Sequence, residues 1–257
     1  MKVIVTSDQH LGYQNSDKES FKQFLNQLNQ DPTVTDFVLL GDVVDMWRRD
    51  VSGVFLENWD VIKIVMALKE KMNVYYVAGN HDFHVLRLLN HNYPFNFLMN
   101  LTIHDESWTY KFLHGWEFDP DQAPPIMEAL CRVMSDETGN FESGAWVTLT
   151  RNRSDLFLPV EKKRIREKTE HLQINPEARL ASTIASIEKR ACASVQPGEI
   201  VVFGHTHKPF VNEKENVVNS GSWVTDAAIH NTYVELTKGK PRLLVFGGQE
   251  IRERVEC

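Results

Sequence analysis

The chain has 257 residues with 35 acidic against 28 basic side chains, a formal net charge of −7; it lacks a bulk electrostatic footprint for nucleic acid, although a local basic groove stays open. Its length supports a large core in one α/β unit, and no apolar run reaches the ~18 residues that suggest a membrane span. The N-terminus enters a strand at Lys2-Val3-Ile4-Val5 with no basic and then apolar leader, which predicts an unexported, cytoplasmic protein. Peripheral contact with lipid is left open. Cys131, Cys192 and Cys257 show no C-x-x-C spacing and are expected to be reduced thiols.

Apolar runs at Val3 to Val5, Phe37 to Leu40, Val74 to Val77 and Ile200 to Phe203 predict buried strands. Between the first two, Phe21, Phe24, Leu25 and Leu28 recur at helical spacing after Ser16-Asp17, a suitable cap. Val61, Ile64, Val65 and Leu68 predict a second core-facing helix before Val74. A short helix over Phe83 to Leu89 is followed by strands around Leu101 to His104 and Ser107 to Leu113. From Asp119 to Gln196 the pattern turns helical: Ile126, Ala129, Leu130 and Val133 share a face, Trp146 to Leu149 follow, then the charged run Glu161 to His171, then Leu180 to Ala193. A strand-to-strand connection needs no such insertion, so a helical cap is expected at about 119–196 within one domain spanning 1–257. The cap either selects the leaving group, with Arg151, Arg153, Lys162, Lys163 and Arg164 meeting anionic groups, or merely adds a layer to the core. Later strands run from Val217 through Val234 to Val245.

Each of these four strand runs, Val3 to Val5, Phe37 to Leu40, Val74 to Val77 and Ile200 to Phe203, is followed by a short polar motif: Asp8-Gln9-His10, Gly41-Asp42-Val43-Val44-Asp45, Gly79-Asn80-His81-Asp82 and Gly204-His205-Thr206-His207. Singly these are ordinary turn chemistry. Together they supply carboxylate, amide and imidazole donors at successive strand ends, where α/β folds place ligands. Two cations about 3.5 to 4 Å apart repel, so carboxylates must offset the charge and one must bridge; Asp42 is the natural bridge. Mixed imidazole and carboxylate donors suit first-row divalent ions. Arg48 and Arg49 either orient phosphoryl oxygens or are solvated. Asp45 and Asp82 are expected behind the ligands, where a carboxylate accepts a ring N–H. Trp47 and Trp223 form either an apolar wall or core.

In order the motifs resemble those of calcineurin-like metallophosphoesterases, D-x-H, G-D-x-x-D, G-N-H-[DE] and G-H-x-H, and the family's further H-G after a strand is matched by His114-Gly115 after Tyr110 to Leu113. The resemblance implies an α/β two-sheet sandwich flanked by helices. It also implies one metal on Asp8, His10, Asp42 and His207, a second on Asp42, Asn80, His114 and His205, and His81 as the acid that protonates the leaving oxygen. Two divalent ions are expected, manganese first, with iron, cobalt, zinc or nickel as alternatives. Gly41 to Trp47, Gly79 to Phe83 and Gly204 to Pro209 are similar to the capped UDP-diacylglucosamine pyrophosphohydrolase branch. That branch commonly carries Arg at the position of His81, and Gly-Asp where this chain has Gly115-Trp116. The expected activity is hydrolysis of a phosphomonoester or phosphodiester on a phosphorylated small molecule, by attack of a metal-bound hydroxide. The alternatives are a pyrophosphohydrolase of a nucleotide-diphospho-lipid, a nuclease, and a non-catalytic scaffold.

Overall fold

Strand β1 (Lys2–Thr6) is buried along almost its whole length and β2 (Asp36–Leu40) at every position, which a five-residue strand tolerates only when both faces of its sheet are covered. The computed structural model describes residues 1–88, 95–105, 107–119, 176–252 and 254–256, and within these two six-stranded sheets pack face to face. The first sheet has the order β11 (Lys240–Val245), β10 (Thr232–Thr237), β1, β2, β3 (Asn73–Val77) and β4 (Asn96–Leu98), with β1 through β4 mutually parallel and β10 antiparallel to both its neighbours. The second has the order β12 (Arg254–Val255), β8 (Phe210–Asn212), β9 (Val217–Asn219), β7 (Glu199–Phe203), β6 (Trp108–Phe112) and β5 (Leu101–Asp105).

Alternation along each strand sorts the core into layers. Val3, Val5, Val38, Leu40 and Val77 face the second sheet and meet Tyr110, Phe112, Ile200 and Val202. Their neighbours Ile4, Phe37, Leu39, Val74 and Tyr76 face outward into a second core. Helix α1 (Lys18–Leu28) buries Phe21, Phe24, Leu25 and Leu28 there, and α3 (Trp59–Leu68) buries Val61, Val65 and Leu68 after the short α2 (Val51–Glu57). Asp17 caps α1 by accepting the Ser20 N–H. Trp223 is fully buried in this layer, with its ring 5.0 Å from Phe21 and 5.1 Å from Phe24; it is core and not a wall of the site.

Helix α4 (Pro176–Ser194) covers the outer face of the second sheet, where Ile187 and Ala191 join Phe203, Phe210 and Val217. The fold is thus a sandwich with helices on both outer faces. Ile126 and the cations Arg151, Arg153, Lys162, Lys163 and Arg164 lie outside the described residues. Cys192, partly buried in the α4 layer, is disulfide-bonded, against the expectation of reduced thiols; its partner lies outside the described residues. Absence of C-x-x-C spacing speaks only to local pairs, whereas folding can bring distant cysteines within bonding reach. Among the described residues no helix is long and apolar enough to cross a membrane.

Candidate metal centre

The polar motifs begin where β1, β2, β3, β6 and β7 end, and their backbones turn sharply there. Asp8 (φ 56°), His10 (48°), Asp42 (52°), His205 (67°) and His207 (55°) all adopt left-handed φ, five of the eight non-glycine residues that do so among those described. Side chains with a Cβ rarely visit this region, and functional sites are where it persists. Backbone hydrogen bonds lace the loops: Asp8 N–H donates to Gly41 O at 3.0 Å, His10 N–H to Asp42 O at 2.8 Å, and Gly204 N–H to His114 O at 2.8 Å. Gly41 has φ 82°, and a Cβ there would come within 2.3 Å of His114 Nδ1; one on Gly79 would come within 2.1 Å of Asp42 Oδ1. Each motif glycine therefore leaves room for a candidate ligand from a different loop.

Asp8 Oδ1 lies 3.2 Å from His207 Nε2, and His207 Nε2 lies 3.2 Å from His10 Nε2. A single oxygen of Asp42, Oδ2, sits 3.3 Å from His114 Nε2 and 3.6 Å from His10 Nε2, while Oδ1 accepts the His81 N–H at 2.8 Å. Asp42 thus stands between the two halves of the site. Potential ligand atoms of Asp8, His10 and His207 fall within 4.8 Å of one another, as do those of Asp8, Asp42 and His114. Asn80 Oδ1 lies 3.1 Å from His205 Nδ1, and the His205 ring centroid lies 5.3 Å from that of His114. All seven candidate ligands are thus brought to one locality.

Whether these residues suit cations is tested by what their atoms lack. Asp8 Oδ1 and His114 Nε2 are buried without a hydrogen-bond partner, a condition that costs about 1–3 kcal/mol per group unless something satisfies it. The far nitrogens are committed: His114 Nδ1 to Leu40 O at 2.8 Å and His10 Nδ1 to Asp45 Oδ2 at 3.0 Å. With Nδ1–H donated, Nε2 is the nitrogen that offers each ring's lone pair to a cation once its own proton has been displaced. Burial would lower the His10 pKa, but Asp45, Asp8 and Asp42 outweigh it and push it up to about 10; His114 is pushed up to about 10 against burial by Asp42 and Asp8. Burial would raise Asp8 and Asp42, yet the surrounding histidines hold both well below the usual carboxylate range. The donor set therefore concentrates buried anionic charge and inward lone pairs, which fits divalent cations.

Asp45 stands behind this set as expected: Oδ2 faces His10 Nδ1, while Oδ1 faces His81 Nδ1 at 3.1 Å and accepts the Arg48 N–H at 2.9 Å. Burial pushes His81 down, against the charges of Asp42 and Asp45. Asp82 does something else. It accepts N–H groups of Val43 and Gly79, both at 2.7 Å, and the Tyr76 hydroxyl at 2.6 Å, so it ties two motif loops together and supports no imidazole. Adjacent side chains diverge, which is why Asp82 turns away from His81. Arg49 pairs with Asp50 and Glu57 away from the ligands, whereas Arg48 pairs with Asp45 and lies over the Tyr13 ring at 4.4 Å. Asp119, buried and 3.6 Å from His205 Nε2 through Oδ2, was not legible from motif spacing.

Residues 1–209 match the calcineurin-like phosphoesterase family, and the chain belongs to it. The protein is a metallophosphoesterase, a metal-dependent hydrolase acting on phosphoester bonds. The fold is similar to that of Yfce, a phosphoesterase from E. coli, at 17% identity over 99% of this chain and 98% of that one, with a TM-score of 0.54. It is also similar to a dimetal phosphatase from Danio rerio, at 14% identity over 100% and 97% of the two chains, with a TM-score of 0.52. No curated protein matches significantly.

Proposed function

We propose that the protein is a dinuclear phosphohydrolase that cleaves a phosphomonoester or phosphodiester of a small molecule. The observation that carries this reading is the pair of buried atoms without a hydrogen-bond partner, Asp8 Oδ1 and His114 Nε2, which lie 3.9 Å apart beside an Asp42 oxygen that faces both His114 and His10. Asp8, His10, Asp42 and His207 would hold one cation, and Asp42, Asn80, His114 and His205 the other, manganese being the first candidate. When bound, the pair would supply the Lewis acidity that activates water and withdraws charge from the phosphoryl group.

The remaining work falls to side chains of this chain. As the imidazolium, His81 would carry a proton at Nε2 for the leaving oxygen while its Nδ1–H donates to Asp45, which fixes the orientation of the ring. Arg48, with a side chain 47% exposed and anchored by Asp45, supplies a cation to orient phosphoryl oxygens at the mouth. His207, with a side chain 31% exposed, marks the open side of the site. The chain reads as one domain, with the insertion at 119–196 as a cap whose last helix doubles as a layer of the sandwich. A second reading, pyrophosphate cleavage in a nucleotide-diphospho-lipid, is favoured by the similarity of Gly41 to Trp47 to the UDP-diacylglucosamine branch, since Trp47 lies at the site.

The deciding experiment is hydrolysis by manganese-loaded protein of aryl mono- and diesters, nucleotides, nucleotide-sugars, the nucleotide-diphospho-lipid and nucleic acid. Metal-dependent turnover of an aryl mono- or diester is expected. Two bound metals with no turnover of any substrate would instead indicate a scaffold, and selective cleavage of the pyrophosphate linkage would favour the second reading.

A further inference from the structure

Trp47 lies against the residue to which proton transfer is assigned above. Its indole stacks on the His81 imidazole with ring centroids 4.2 Å apart and planes 23° from parallel, and Trp47 remains partly exposed. Behind it, the rings of Phe83 and Trp116 meet edge to face at 6.1 Å, and Trp47, Leu86 and Met99 pack onto that buried pair. The imidazole is fixed from other directions too. Asp45 holds Nδ1, and the His10 ring meets it edge-on at 4.8 Å and 88°. The plane of His81 is therefore set, and Nε2 is the nitrogen left to serve the leaving oxygen.

An imidazole N–H lies in its ring plane, so the oxygen it protonates sits about 2.7–3.0 Å from Nε2 and close to that plane. A planar group carried on that oxygen can then lie parallel to the indole, which is larger than the imidazole it covers. Aromatic rings so arranged attract beyond simple area burial. A compact or flexible aliphatic leaving group gains little of this.

We propose that Trp47 is a specificity-determining residue on the leaving-group side of the site, selecting phosphoesters that carry a planar aromatic ring on or next to the scissile oxygen. The proposal rests on the hydrolase reading and on His81 as proton donor. It differs from a purely structural role, in which Trp47 would only hold His81 in place and every substrate would suffer alike when it is changed.

The test uses manganese-loaded protein and two esters with leaving groups of matched acidity, phenyl phosphate and a fluoroalkyl phosphate, in the parent, Trp47→Phe and Trp47→Leu. The ratio of kcat/KM, aryl over fluoroalkyl, should fall about three- to tenfold in Trp47→Leu and be largely kept in Trp47→Phe. Calorimetric dissociation constants give a readout without turnover: phenylphosphonate should bind about three- to tenfold more weakly to Trp47→Leu, and cyclohexylphosphonate should change much less. If the parent hydrolyses neither ester nor any substrate of the panel above, the hydrolase reading fails and this assignment with it; if it cleaves only diesters, the methyl diesters of the same two leaving groups supply the ratio. If the parent hydrolyses both and the ratio survives in Trp47→Leu, or falls equally in both variants, the Trp47 assignment alone is overturned.

Discussion

His10 and His207, 197 residues apart in sequence, bring their Nε2 atoms to 3.2 Å. Two lone pairs at that separation repel unless a proton or a cation lies between them, and His10 already commits Nδ1 to Asp45. Proton and metal therefore compete for the same place, with a measurable consequence. In the metal-free protein His10 and His114 are pushed up to about 10 by neighbouring carboxylates that outweigh burial, whereas an unfolded histidine titrates near ~6.5. The stability they contribute is full below that lower value and is lost as pH rises through about 10. The thermal midpoint of chelated protein should accordingly fall from pH 6 toward pH 10. Metal affinity should rise over the same window, because each cation must displace protons. Calorimetric titration with manganese in buffers of different ionisation enthalpy should register release of roughly one to two protons per chain at neutral pH. A metal-free midpoint that climbs with pH, or uptake without proton release, would contradict this linkage.

In the proposed dinuclear site Asp42, whose Oδ2 faces both His10 and His114, would offset both cations. Asp42→Asn should weaken binding of the metal pair and lower kcat by at least ~10³, a loss of about 4 kcal/mol in transition-state stabilisation. Metal content and turnover would be measured on the same preparation. Two metals per chain with near-parent kcat would remove Asp42 from the bridging role.

The role proposed for His81 is proton transfer without ligation, and the two can be separated. His81→Gln should keep two metals and lose ~10² to 10⁴ in rate on esters with poor leaving groups, with smaller losses on nitrophenyl esters. The dependence of rate on leaving-group acidity is the readout. Equal losses across the series, or a missing metal, would take the acid role away from His81.

Asp82 is a structural clamp, so its loss should register in stability. Asp82→Asn leaves a single acceptor oxygen for donors that now converge from Val43, Gly79 and Tyr76, and should cost about 2–3 kcal/mol in urea unfolding of the metal-free protein. Tyr76→Phe removes one of those donors and should cost about 1 kcal/mol. Losses below ~0.5 kcal/mol for Asp82→Asn would show that the loops hold without it.

Much of this protein was legible in local pattern. Buried runs such as Val3 to Val5 and Phe37 to Leu40 became β1 and β2, because short β-branched and aromatic stretches have few other ways to bury both faces. The spacing of Phe21, Phe24, Leu25 and Leu28, with Asp17 before it, specified a capped helix for the same local reason. The motif order pointed to the family because donor chemistry is written in residue types.

What only the tertiary structure decided concerns side chains whose partners are far away in sequence. Asp45 and Asp82 sit in similar motif positions, yet one supports His10 and His81 and the other binds backbone N–H groups and Tyr76, since loop curvature and not residue type aims a carboxylate. Trp47 and Trp223 were equal candidates for a wall; one stacks on His81 and the other fills the α1 layer, because burial depends on which sheet face a turn delivers a ring to. Asp119 approaches His205 only after the chain has passed through a long insertion and back, a proximity that no local spacing encodes. Sequence alone determined the donors and the strands that end in them. Tertiary packing decided which lone pairs converge, because contact between distant residues is set by how two sheets and their loops fit together.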